Sequence, residues 1–251
     1  MKMNKNIFNL DEKFLEVLKN ENNISDRILL SNNLSGIEVV DIALEKKLNA
    51  VLQNSIFSLQ EKLSLLHKID VENIFDPDFP IIESKPKFFD YKFQDDRVEI
   101  INALFELFGV NLRYSKNSEL YNVAQELMMN ANNAILAAQS DQKNVEGLKL
   151  IFECNNSKNL FAISVIDPAG VLAPYSLLQQ IQSVFNKGFK QGMSKKKEGA
   201  GLGSSIIFNS CDTLIMVIKP QVSTRVTVVL PYLIAQKKID QIQKSLMIIG
   251  G

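Results

Sequence analysis

An α+β fold is expected for this chain, and three observations carry the expectation. Apolar residues recur every three or four positions over much of the first ~110 residues, as in amphipathic helices. Later in the sequence, short apolar runs come in pairs joined by turn residues. Helical patterns lie between those pairs. The chain has 251 residues, of which 46% are hydrophobic, which is ample for a packed core and excludes disorder over the whole length. At roughly 100–200 residues per domain, this length allows one large domain or two small ones.

Charge narrows the function. The 28 Lys+Arg balance the 28 Asp+Glu, and a dedicated nucleic-acid binder usually carries a basic excess. No apolar run reaches the ~20 residues that span a bilayer. The first ten residues hold lysines but no apolar stretch of signal-peptide length, so a cytoplasmic protein is expected, with neither nucleic acid nor membrane as partner. Cys154 and Cys211 have no metal-ligand spacing and are expected as buried free thiols. His67 is the single histidine, which argues against a His-based zinc site.

Taken in order, Leu10, Phe14, Leu15 and Leu18 mark a short amphipathic helix. A longer stripe follows through Ile37, Val40, Leu44, Leu48, Val51, Ile56, Leu59, Leu63 and Leu66, and its spacing predicts one helix of about 25–30 residues. A stripe that long needs a partner, either within the chain or in a second copy, so a homodimer through this helix is one expectation. Residues 76–92 hold three of the seven prolines and read as an irregular connection, followed by a helix over Val98–Phe108. These features place a mostly helical regulatory or dimerisation domain at 1–110.

After residue 115 a helix is expected over 118–138. Strands at 148–154 and 160–166 are joined by an Asn-Asn-Ser-Lys-Asn turn, and a helix follows at 175–185. A Gly/Lys-rich loop over 187–203 precedes another helix. Strands at 213–218 and 224–230 form a second hairpin through Lys219-Pro220-Gln221. Residues 233–251 are expected as a tail helix.

Three segments carry chemistry. In Gln125-Glu-Leu-Met-Met-Asn130-Ala, Glu126 and Asn130 stand four apart and share a helix face. A carboxamide oxygen is a hard ligand suited to Mg²⁺, and a carboxylate can orient or deprotonate an attacking group. In Val165-Ile-Asp167-Pro-Ala-Gly170, an aspartate at a strand end precedes a tight turn, where it can close an Asx turn or meet a ligand amino group. In Glu198-Gly199-Ala-Gly201-Leu202-Gly203-Ser-Ser, glycines open a helix, whose N-terminus favours an anion such as phosphate. Lys187, Lys190, Lys195, Lys196 and Lys197 lie upstream and could reach the same anion; as a solvated loop they need no ligand.

Together and in this order, the segments resemble the GHKL ATP-binding superfamily of gyrase, Hsp90, mismatch-repair ATPases, histidine kinases and anti-sigma-factor serine kinases. The resemblance covers about residues 115–232. Glu126 to Asn130 is similar to the family's N-box, Asp167 with Gly170 to its G1 box, and Gly199-Ala-Gly201-Leu202-Gly203 to its G2 box. Ala169 stands where the usual G1 box has its first glycine. The resemblance implies a Bergerat-type α/β sandwich at 111–232, a mixed and largely antiparallel sheet covered by helices. It also implies ATP and Mg²⁺ as cofactors. Asn130 would hold the Mg²⁺, and Asp167 would accept from the adenine amino group with Thr224 beside it. Gly170, Gly199, Gly201, Leu202 and Gly203 would shape the pocket and wrap the phosphates, with Lys197 as a cationic contact. Glu126 would be the general base. His67 lacks the acidic neighbour and the later proline of a phosphoacceptor histidine and reads as a helix-end residue. The function implied is an ATPase or protein kinase acting on a signalling partner; the alternative is a nucleotide-sensing scaffold with weak turnover.

Overall fold

The computed structural model describes residues 27–70, 72–91, 97–107, 119–138, 147–187, 202–231 and 241–250. Along the chain these hold β1 (Ile28–Ser31), α1 (Gly36–Lys46), β2 (Ala50–Gln53), α2 (Leu59–Lys68), a 3-10 turn (Asn73–Phe75), β3 (Lys87–Tyr91), α3 (Arg97–Leu107) and α4 (Glu119–Ala138). After them come β4 (Leu148–Asn155), β5 (Leu160–Asp167), α5 (Pro174–Lys187), α6 (Leu202–Ser210), β6 (Thr213–Lys219), β7 (Ser223–Pro231) and β8 (Ser245–Gly250). All eight strands belong to one sheet in the order β1-β2-β8-β6-β7-β5-β4-β3. β1 and β2 run parallel, as do β6 and β8, and the other neighbouring pairs are antiparallel. The fold is therefore α+β with a mixed, largely antiparallel sheet, as expected. Among the described residues no helix is long and apolar enough to cross a membrane.

Alternation along the strands sorts the core into two layers. Phe161, Ile163 and Val165 of β5, with Leu214, Met216 and Ile218 of β6, point to the face covered by α1, α3, α4, α5 and α6. Leu160 and Ala162 of β5, with Ile215 and Val217 of β6, point to the other face, where Leu63, Leu66, Ile74, Ile81 and Ile82 cover them. Strands buried on both faces read as continuous apolar runs, and LFAISVI and TLIMVI do so.

The N-terminal expectations need correction. The single helix predicted over 37–66 is divided into α1, β2 and α2. Ser35 accepts from Glu38 N while Glu38 accepts from Ser35 N, and Ser58 and Glu61 repeat this reciprocal cap at α2. Lys47 closes α1 in the left-handed region at φ 50. Between the caps, Ala50, Val51 and Leu52 are buried on both sides as a strand. The apolar stripe is thus satisfied within its own chain: Val39, Val40 and Ala43 enter one core layer, and Leu59, Leu63 and Leu66 the other. Within the segment expected as irregular, Lys87–Tyr91 forms the sheet edge β3. The boundary expected near 110 does not separate two sheets, since β1, β2 and β3 join the one to which β4–β7 belong. The expected tail helix instead contributes β8, set between β2 and β6. Leu246, Met247 and Ile248 are fully buried there, a run too short and too continuous for an amphipathic helix. The expected helix at Leu10–Leu18 lies outside the described residues.

Two buried polar clusters tie the early segments to the sheet. Lys62 and Asp212, both wholly buried, pair at 3.0 Å. Lys62 Nζ also donates to Gln53 O and Ser55 Oγ, while Asp212 accepts from Ser55 Oγ, Phe57 N and Thr213 Oγ1. On the sheet face beneath residues 74–82, Glu153 accepts from Ile81 N and Ile82 N, and Arg225 donates to Ile74 O and Ser164 Oγ. The two charges stand 4.0 Å apart, both buried.

Burial pushes the Glu153 carboxyl up to about 7, although the two amides and Arg225 oppose the shift. A carboxyl raised above its unfolded value binds its proton more tightly when folded, so its contribution is present at low pH and is lost as pH rises through about 7. Stability to urea is expected to fall by on the order of 1–3 kcal/mol between pH 5 and pH 8. Glu153→Gln should flatten that slope. Glu38, held low by its hydrogen bonds with Ser35, and Glu61, held low against its partial burial by Lys158 and then by Ser58, act in the opposite sense only below this window. An unchanged slope in the variant would remove Glu153 as its source.

Candidate functional site

The site is built where β5, β7, α4, α5 and α6 meet on the helical face. β5 ends at Asp167 and β7 begins near Thr224, and the antiparallel register sets these two residues directly opposite each other. Both line a cavity of about 70 Å³ together with Asn130 of α4 and Ser204 of α6. Leu127, Val165, Leu177, Ile181, Ile207 and Val226 supply apolar walls. A few polar groups converging in an apolar cavity are the usual form of a small-molecule site, although this volume is below the ~300–1,000 Å³ of ligand clefts. A ligand larger than a few atoms therefore enters only if the walls part.

Asp167 is 5% exposed. Its Oδ1 accepts from Ala169 N at 2.9 Å and Gly170 N at 3.3 Å, the Asx turn that the sequence allows. Both bonds fall on Oδ1, so the second carboxylate oxygen is not committed to the turn. Burial pushes the Asp167 carboxyl above the usual carboxylate range, against the pull of the two amides and the neighbouring Thr224 hydroxyl. That hydroxyl stands close enough to favour the charge, yet Thr224 Oγ1 makes no hydrogen bond of ordinary geometry although it is 1% exposed. A buried hydroxyl without a partner is costly, by about 1–3 kcal/mol, and its place in a cavity wall gives it a purpose there only if a ligand meets it.

Gly170 has φ +60, and a Cβ built on it would stand 2.5 Å from Val222 N and 2.6 Å from Lys219 O in the β6–β7 turn. Gln221 N donates to Gly170 O at 3.0 Å, so the turn after Asp167 and the second hairpin hold each other in place. Gly170→Ala is expected to lower unfolding stability by about 1–3 kcal/mol through backbone strain and this contact. A variant with an unchanged urea midpoint would show that the hairpin yields at no cost.

Glu126 and Asn130 share a face of α4 as expected, but they do not end in the same place. Asn130 is exposed at the cavity, while Glu126 is partly buried against α6. A Cβ on Gly203 would lie 1.9 Å from Glu126 Oε2, so the glycine leaves room for the carboxylate. Leu202 opens α6. Lys197, Gly199 and Gly201 lie outside the described residues. Ser204 was not anticipated; its position one residue past Gly203, in the first turn of α6, was the available signal. The apolar wall from α5 could not be anticipated from spacing, because Leu177 and Ile181 look like ordinary core positions in an amphipathic helix. Of the implied groups, an adenine ring would match the acceptor at Asp167 and the hydroxyl at Thr224, but it exceeds the volume of the cavity as it stands. Mg²⁺ fits Asn130 as a single protein ligand, the ion's other ligands coming from phosphates and water. Among the described residues no group of three or more His, Cys, Asp or Glu could hold a metal ion alone.

Comparison with protein-family models finds no match, and comparison with curated proteins finds none either.

Proposed function

We propose that the chain is a GHKL-type, Mg-ATP-binding signalling protein with a Bergerat-type nucleotide site, acting in the cytoplasm as an ATPase or protein kinase on a partner protein. The observation that carries the reading is the meeting of Asn130, Asp167 and Thr224, from three segments far apart in sequence, in one cavity bordered by the α6 N-terminus. Asp167 accepts the adenine amino group with the carboxylate oxygen that the turn leaves uncommitted. Thr224 supplies a hydroxyl at the same edge of the base. Asn130 offers its amide oxygen to the Mg²⁺ that accompanies the phosphates, and the α6 N-terminus draws their charge. Bound Mg²⁺ supplies charge neutralisation on the phosphates. Glu126 then orients or deprotonates a water or a partner's hydroxyl.

The test is calorimetric titration with ATP and with GTP in the presence of Mg²⁺, followed by a phosphate-release assay. ATP binding with GTP much weaker, and release abolished in Glu126→Ala, is the expected result. Failure of both nucleotides to bind would overturn the reading. The second reading, a nucleotide-sensing scaffold with weak turnover, is favoured by Ala169 in place of a glycine and by the narrow cavity. Binding without release, with or without candidate partner proteins, would select it.

A further inference from the structure

The first amides of α6 have no carbonyl partner within the helix, and the helix end attracts negative charge. A carboxylate from within the chain already stands there. The space that a side chain at 203 would fill is taken by Glu126, with Oε2 at 1.9 Å and Cδ at 2.8 Å from a Cβ built on Gly203. Leu127 and Ser204, the next residues after Glu126 and Gly203, line the cavity, and so does Asn130 one turn further along α4. The contact between Glu126 and Gly203 therefore stands next to the cavity, on the side where α4 meets α6. The Thr224 hydroxyl inside the same cavity makes no hydrogen bond of ordinary geometry, and a polar ligand there would meet it.

A nucleotide with one edge of its base against Asp167 and Thr224 would send its phosphates past Asn130 and Ser204 toward this end. There they meet the Glu126 carboxylate, and two anions compete for one helix terminus. We infer that Glu126 is a resident anion at the α6 N-terminus which phosphate must displace, and that it thereby sets how strongly the site distinguishes phosphorylated from unphosphorylated ligands. This rests on the nucleotide reading above. Displacement has a second effect: the carboxylate leaves the helix only when phosphate arrives, so the same residue is withheld from chemistry until the site is filled.

Glu126→Gln keeps the shape and removes the charge. Adenosine, ADP and ATP are titrated with Mg²⁺ into wild type and variant, and hydrogen exchange of the α6 first-turn amides is followed in ligand-free protein. The expected result is roughly 5- to 30-fold tighter binding of ADP and ATP to the variant, with adenosine unchanged. Faster ligand-free exchange in the first turn of α6 is expected as well. Glu126→Asp, which draws the carboxylate back by one methylene, should fall between the two. Adenosine binding retained with no selective gain for ADP or ATP would overturn the inference and leave the nucleotide reading standing. Unchanged exchange in α6 would also overturn it. Adenosine and ATP both failing to bind any of the proteins would overturn the nucleotide reading, and the inference with it.

Discussion

Asp212→Ala is expected to lower the unfolding free energy by about 3–5 kcal/mol, because it leaves the wholly buried Lys62 without its counter-charge. Desolvation already holds the Lys62 ammonium below its ordinary value, with Asp212 acting against that shift. In the variant, Ser55 Oγ and the Gln53 carbonyl still accept from Lys62, but no anion does. The loss should shrink as pH rises, since an unpaired buried lysine that sheds its proton more readily than the unfolded chain gains stability at high pH. Lys62→Met combined with Asp212→Leu removes both charges and should recover part of the loss, the Phe57 amide and Thr213 hydroxyl being left without their acceptor. Urea unfolding of the three proteins decides the matter. A near-neutral Asp212→Ala would mean that the pair contributes nothing net where α2 meets the sheet.

The second large effect is on ligand binding. Asp167→Asn is expected to weaken ATP by about 10²-fold, the order of one charge-assisted hydrogen bond at about 1.5–3 kcal/mol. The replacement keeps the turn bonds within reach of its carbonyl oxygen, so the fold should persist, while the amide nitrogen faces the adenine amino group donor to donor. Thr224→Val keeps the volume and removes the hydroxyl, and should weaken ATP by roughly tenfold. It should also raise unfolding stability slightly, because the ligand-free protein no longer buries an unpartnered oxygen. Stability and affinity moving in opposite directions is the signature to look for. Since burial already raises the Asp167 carboxyl, ATP binding to the wild type should weaken on acidification at a higher pH than an exposed aspartate would give. Equal affinity of wild type and Asp167→Asn would sink the assignment of the base pocket.

Legibility in the sequence differed sharply between the two parts of the chain, for physical reasons. Strands β4 to β7 were readable because each is a long apolar run bounded by turn residues, such as Asn156–Asn159 before Leu160. The segments singled out in the sequence bring Asn130, Asp167 and Thr224 to one cavity wall, Asp167 and Thr224 as register partners. The N-terminal strands were not readable from period alone. Val51 and Leu52 continue the three-four spacing of the helices on either side, and a four-residue strand gives too few positions to break that pattern. The Ser35–Glu38 and Ser58–Glu61 pairs did mark two separate helix starts, and reading them first would have split the stripe. β8 lies mainly along β6, but as a parallel neighbour far along the chain, a pairing that no turn residues mark in the sequence.

The position of β8 has a consequence for folding. Asn49 Nδ2 donates to Ile248 O across 199 positions of sequence, and β1 and β2 reach the rest of the sheet only through β8. Until residues 245–250 are in place, the β1–β2 pair and the strands from β6 to β3 are therefore two sheet fragments, each with a bare edge where β8 belongs. Long-range strand pairing of this kind is slow and leaves such edges open to other chains. The folding chain is therefore expected to be open to such pairing until β8 inserts between β2 and β6 and joins the halves.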